Sequence, residues 1–282
     1  MSLSKRRFHS RTEILTAAAI LCLCLLTGCG KEWKYEPITN VNDLEGRRVG
    51  VNLSWAEDYY LLDRDDLELF EYDSTADMIL ALKYDKIDAI ALDDAMWALM
   101  DSVSDGVEKV EPAIGNTGYV IYIGGGQKEL LEDFNSFLAQ YKETVEYQDY
   151  LERIKNFDGE YAGPEIPLTG TGKVLKVAFP ANGYPRSFQE PGCDPVGFDL
   201  EAVEHYANDR DLRIQFYAAS YDDAIIGLKT GTYDIYAGYL SDEYKKDATH
   251  VGMLVSDPIY TAPLYFVQKV QPEITVQVEE LE

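Results

Sequence analysis

The sequence predicts an α/β fold built from two similar halves, and three observations lead there. Beyond Asn40, short β-type runs alternate with amphipathic helical stretches. Asp158 to Gly172 breaks that alternation with Gly159, Gly163, Pro164, Pro167, Gly170 and Gly172, a loop between halves. An internal echo then relates the halves. Asp77-Met-Ile-Leu-Ala-Leu82-Lys83 leads to Asp88, and Asp223-Ala-Ile-Ile-Gly-Leu228-Lys229 leads to Asp234, each matched pair 146 positions apart.

In chain order, Lys31 to Asn40 is polar and unpatterned and reads as a tether. Arg48 to Val51 is a short buried strand. Asp73 to Tyr84 places Met78, Ile79 and Leu82 at helical spacing, and Ile87 to Leu92 forms a strand that ends at Asp93-Asp94. A return strand is expected from Gly118. Leu130 to Ile154 carries two helices, one either side of Glu143-Thr144. In the second half, Val174 to Phe179 is a strand and Phe198 to Asn208 a helix. Arg213 to Tyr217 is a strand, Ser220 to Lys229 a helix, Tyr233 to Ala237 a strand, and Ile259 to Gln268 a last extended run.

The N-terminus carries basic Lys5, Arg6, Arg7 and Arg11, then an apolar run from Ile14 to Leu26, about half of what spans a bilayer. Leu26-Thr27-Gly28-Cys29 matches the lipobox of bacterial lipoproteins, so residues 1–28 read as a leader and Cys29 as the acylated first residue. Acyl chains there would anchor the protein to the extracytoplasmic face of the cell membrane. With 50 acidic against 25 basic residues, the net charge is −25. A field of that sign repels nucleic acid, which is excluded as a partner. Of the four cysteines, Cys22 and Cys24 leave with the leader, Cys29 is acylated, and Cys193 cannot bridge alone.

Two segments carry a resemblance. Lys176 to Phe179, Tyr184-Pro185, Gly197-Phe198-Asp199, the run from Leu228 to Asp234, Ala237-Gly238 and Ser256 to Tyr260 resemble lobe one of the bacterial extracellular solute-binding proteins of family 3, the polar-amino-acid type. Asn42 to Val51 and Asp88 to Asp93 resemble that family's lobe two. The resemblance implies a type II periplasmic binding clamshell with its lobes in circularly permuted order. Residues 29–40 would be tether, 41–117 lobe two, 118–172 return strand, closing helices and loop, 173–268 lobe one and 269–282 a tail able to add an edge strand. Residues 42–94 and 174–239 are then expected in separate sheets.

In that family Asp93 falls where a carboxylate grips a ligand ammonium; alternatively it caps the helix that follows, as Asp94 is expected to do. Tyr184 matches an aromatic packed on the ligand, or belongs to the core. Trp55, after Ser54, faces the cleft or packs between lobes. Tyr239 and Tyr244 complete the candidate contacts, Tyr244 standing where the family places a carboxylate-gripping arginine. That substitution, and Ser54-Trp55-Ala56 in place of a Gly-Thr-Thr turn, leave no obvious grip on an α-carboxylate, which ranks amines and cationic ligands above acidic ones. The resemblance therefore implies a lipid-anchored protein delivering a small amine or amino-acid-like ligand to an ABC transporter permease. No cofactor or metal site is expected, and no enzymatic motif appears. The alternatives are a sensory or ligandless module serving a membrane protein, and a cyclohexadienyl-dehydratase-like enzyme using Asp93 as general acid or base.

Overall fold

A computed structural model of the chain describes residues 37–53, 55–101, 105–244 and 252–270. The leader, Cys29, Ser54, Lys245, Lys246 and the tail beyond Val270 lie outside the described residues.

The strands are β1 (Arg48–Asn52), β2 (Glu68–Tyr72), β3 (Ala89–Asp93), β4 (Val107–Gly124), β5 (Val174–Phe179), β6 (Asn182–Gly183), β7 (Ser187–Phe188), β8 (Arg213–Ala218), β9 (Ile235–Ser241), β10 (Met253–Val255) and β11 (Tyr260–Lys269). The α-helices are α1 (Ala56–Leu61), α2 (Thr75–Lys83), α3 (Asp94–Asp101), α4 (Lys128–Tyr141), α5 (Val145–Lys155), α6 (Phe198–Asp209) and α7 (Tyr221–Thr230). The main sheet runs β2-β1-β3-β11-β4-β9-β5-β8, with β10 also on β4.

This order divides into two blocks. β2, β1 and β3 are parallel, as are β9, β5 and β8, and the antiparallel pair β11–β4 joins them. The expectation of separate sheets is therefore corrected: residues 42–94 and 174–239 share one continuous sheet. The reason is β4. Its first residues pair with Phe266–Lys269 of β11, which also bonds β3, while Tyr119–Ile123 pair with β9. A boundary between 117 and 118 cuts this strand. Pro112, which has no N–H to donate, sits where the β4–β11 register shifts between Leu264 and Phe266.

The echo has a structural cause. Ser74 and Ser220, again 146 apart, cap α2 and α7 by accepting the N–H groups of Asp77 and Asp223. Asp88 then accepts the Arg48 N–H at 2.8 Å, and Asp234 accepts the Lys176 N–H at 2.9 Å. In each block the aspartate entering the third strand ties down the start of the first. The repeat encodes a folding unit, not a site.

The larger apolar cluster lies under the second block. Phe134, Phe137 and Tyr141 of α4, Tyr150 of α5 and Tyr206 of α6 pack on Val177, Phe179 and Ile235. The expected tether ends sooner than predicted. Ile38 is buried, and its backbone N–H and C=O both bond the Gln268 amide, at 2.8 and 3.1 Å.

Candidate functional site

A cavity of about 900 Å³ opens at the carboxyl ends of β5 and β8. That edge of a parallel sheet leaves backbone groups and helix N-termini unused, which is where α/β proteins place ligands. Three turns build it. Pro180 to Tyr184 follow β5, Ala218 to Tyr221 lead from the end of β8 into α7, and Leu53 and Trp55 of the β1–α1 connection come from the other block with Tyr59 of α1. Tyr236, Gly238 and Leu240 of β9 form the floor. Gly238 is held at φ +147, and a Cβ there would meet the Ser187 Oγ at 2.2 Å, so glycine is required at this point of the floor.

Trp55 occupies the position before α1 in extended conformation (φ −92, ψ 173) and has no oxygen to cap the helix, so its ring is left to line the cavity. Tyr184 is fixed by its hydroxyl, which accepts the Tyr161 N–H and donates to the Gly159 carbonyl, both at 2.7 Å. Its ring lies edge-on to Phe188, with centroids 4.7 Å apart. Trp55, Tyr59, Tyr184, Tyr221 and Tyr236 thus surround a space where, among the described residues, Asp223 is the ionisable wall residue outside the tyrosines. Rings of this kind hold flat or cationic groups, their negative faces attracting a cation by about 0.5–2 kcal/mol. Tyr184 and Trp55 are therefore brought together, from opposite blocks, as lining residues. Tyr239 lies on β9 and Tyr244 ends a 3₁₀ turn (Asp242–Tyr244); their side chains are outside the described residues.

Asp93 takes the second of its two expected roles, capping the helix that follows. It is 0% exposed and does not line the cavity. Its Oδ2 accepts Arg186 Nη2 at 2.7 Å and the Tyr119 hydroxyl, and its Oδ1 caps α3 by accepting the Met96 N–H at 2.7 Å. Its carboxylate is not open to a ligand ammonium, because this chain's own guanidinium occupies it. Asp94, expected as the cap, accepts the adjacent Ala95 N–H at 2.8 Å instead.

Arg186, also 0% exposed, is the residue that sequence reasoning missed. It stands in Tyr184-Pro-Arg186-Ser-Phe188, beside the aromatic turn and away from the place where an arginine was sought. Its guanidinium carbon lies 3.1 Å from the Tyr119 ring centroid and 4.9 Å from that of Tyr260. Glu57 Oε1 accepts the Asp93 N–H at 3.0 Å. Burial, then the Asp93 charge, pushes the Glu57 carboxyl up to about 8 and that of Asp94 to about 7, and Arg186 opposes both shifts.

Among the described residues no group of side chains has the makings of a metal centre, and no helix is long and apolar enough to cross a membrane. Residues 175–277 match the family model of the bacterial extracellular solute-binding proteins, family 3. No curated protein sequence matches the chain. Among solved structures it is similar to an ancestral cationic amino acid solute-binding protein (12% identity, 82% of this chain and 84% of that one, TM-score 0.42). It is also similar to the probable amino-acid ABC transporter extracellular-binding protein YtmK of Bacillus subtilis (10% identity, 80% and 84%, TM-score 0.39). A third is a phosphate-binding protein of a phosphate ABC transporter from Streptococcus pneumoniae (13% identity, 79% and 88%, TM-score 0.38).

Proposed function

From the match of residues 175–277 to the model of the family 3 extracellular solute-binding proteins, we propose an extracytoplasmic binding protein for a small amine or amino-acid-like ligand. The observation that carries this reading is the ring-lined cavity of about 900 Å³ fed by both blocks, with Trp55 from one and Tyr184 from the other. That volume suits a small organic molecule. The ring faces, Asp223 and the net charge of −25 all favour a cation over an anion. The permuted order of two family-like lobes, lipid anchoring at Cys29 and delivery to an ABC transporter permease belong to the same proposal.

A thermal-shift panel of amines, amino acids, small peptides and organic acids tests it. A cation at 100 times its dissociation constant should add about 2.7 kcal/mol of stability. Trp55→Ala and Tyr184→Ala should each weaken that ligand by about 1–2 kcal/mol, roughly tenfold, because each removes one ring face. Unchanged affinity in both variants would rule out the cavity as the site. A flat response to the whole panel would favour the ligandless, sensory reading, which the internal pairing of Asp93 with Arg186 supports. For the anchor, Cys29→Ser should move the protein from the membrane to the soluble fraction or block its processing; unchanged fractionation would refute acylation there.

A further inference from the structure

We propose that Arg186 is a tethered cation that latches the two blocks of the sheet together in the absence of any ligand. Arg186 lies in the turn of the separate β6–β7 ribbon, which is tied to α6 of the second block by the Asp199 N–H donating to the Arg186 carbonyl at 2.8 Å, while Asp93 ends β3 in the first. Their 2.7 Å ion pair therefore spans the two blocks, and both side chains are fully buried or nearly so, at 0% and 1% exposure. The residues around it lie on the strands that join the blocks and on the first block itself. Tyr119 of β4 and Tyr260 of β11 stack on each other 5.1 Å apart beside the guanidinium, and Glu57 of α1 holds the Asp93 N–H. β4 and β11 are the strands that connect the blocks, and their register shift beside the latch gives a place for bending.

An ion pair within one rigid block would restrain nothing. One made across the joining strands, out of water, resists opening because separation strips a buried carboxylate of its counter-charge. Closure in a two-lobed binding protein ordinarily draws on contacts that a ligand makes to both sides; here a side chain of the protein supplies one of them. The ring-lined cavity lies alongside, walled by both blocks. A ligand there would meet a protein that is already closed, and would not have to neutralise Asp93.

The test is a distance measurement by paired spin labels on the ligand-free full chain, with native cysteines replaced by serine. The labels go at exposed positions, one per block, through Tyr84→Cys and Ile226→Cys. The parent should give one narrow distance population. Asp93→Asn combined with Arg186→Met removes both charges while keeping a side-chain oxygen for the Met96 N–H and an apolar stem on Tyr119; it should add a longer-distance population. Arg186→Lys keeps the charge and should stay narrow. Circular dichroism establishes that each variant is folded. A broad distribution in the parent overturns the latch, as does an unchanged distribution in the folded double variant. Should the double variant fail to fold, the parent and Arg186→Lys still decide, a broadened Arg186→Lys counting against the latch. No ligand is added, so the outcome does not depend on whether the cavity binds one.

Discussion

Asp93→Ala is expected to destabilise the protein by about 3–5 kcal/mol, the scale seen when one partner of a buried ion pair is removed. The loss has three parts. The Arg186 guanidinium, 0% exposed, would keep its charge with no carboxylate beside it. The Tyr119 hydroxyl would lose its acceptor, and α3 would lose its cap at the Met96 N–H, the cap alone being worth about 1 kcal/mol. For a fold of this size the melting temperature should drop by roughly 10 °C. Asp93→Asn should cost less, because the amide oxygen still caps the helix. Denaturant unfolding of both variants checks this. A loss below about 1 kcal/mol in Asp93→Ala would mean that the pair is not closed in solution.

Stability should fall, not rise, as pH increases from about 5 to 8. Glu57 titrates near 8 in the folded protein, against roughly 4.3 for an unperturbed glutamate. Between those values the folded state holds a proton that the unfolded chain has released. The stability associated with that proton is fully present below the unfolded value and is lost as pH rises through the folded one. One such group gives a slope of up to about 1.4 kcal/mol per pH unit. Asp94, raised to about 7, acts in the same direction, and its charge is felt by the same pair, so the carboxyls titrate together. Glu204, which burial and then Glu201 push to about 8, adds to the trend.

Glu57→Gln isolates the contributor beside the Asp93–Arg186 pair. The amide imitates the protonated acid and can still accept the Asp93 N–H. The variant should show a shallower pH dependence, with the shares of Glu204 and Asp94 remaining, and be more stable than the parent at pH 8 by a few kcal/mol, roughly one group's slope summed over the window. Unfolding curves at pH 5, 6.5 and 8 measure this. A parent protein whose stability rises across that range would contradict the assignment.

The sequence carried the parts of this fold that local chemistry dictates. Apolar runs marked β1, β3, β5 and β8 to within a residue or two, and the helical spacing of Met78, Ile79 and Leu82 marked α2. β4 was legible only from Gly118 onward, because a strand interrupted by Pro112 and Gly115 resembles a turn until its bulged partner β11 is known. The single sheet followed from that same strand. Tyr184 and Trp55 could be found because each sits on a strand-to-helix or aromatic turn. Tyr236 and Tyr221 could not be told from core aromatics, since burial of a ring is decided by its neighbours. Asp93 was picked out by its position at a strand end, but the charge that answers it comes from Arg186, 93 positions away. Pairing across that distance leaves no local pattern.

The central claim is that the cavity shared by the two blocks binds the ligand through its rings, with Asp93 already satisfied from within. Its most direct measurement is a crystal structure of the protein with the ligand giving the largest thermal shift. The account predicts ligand density between the Trp55 and Tyr184 rings and an intact Arg186–Asp93 pair. A ligand ammonium bonded to Asp93, with Arg186 displaced, would contradict it.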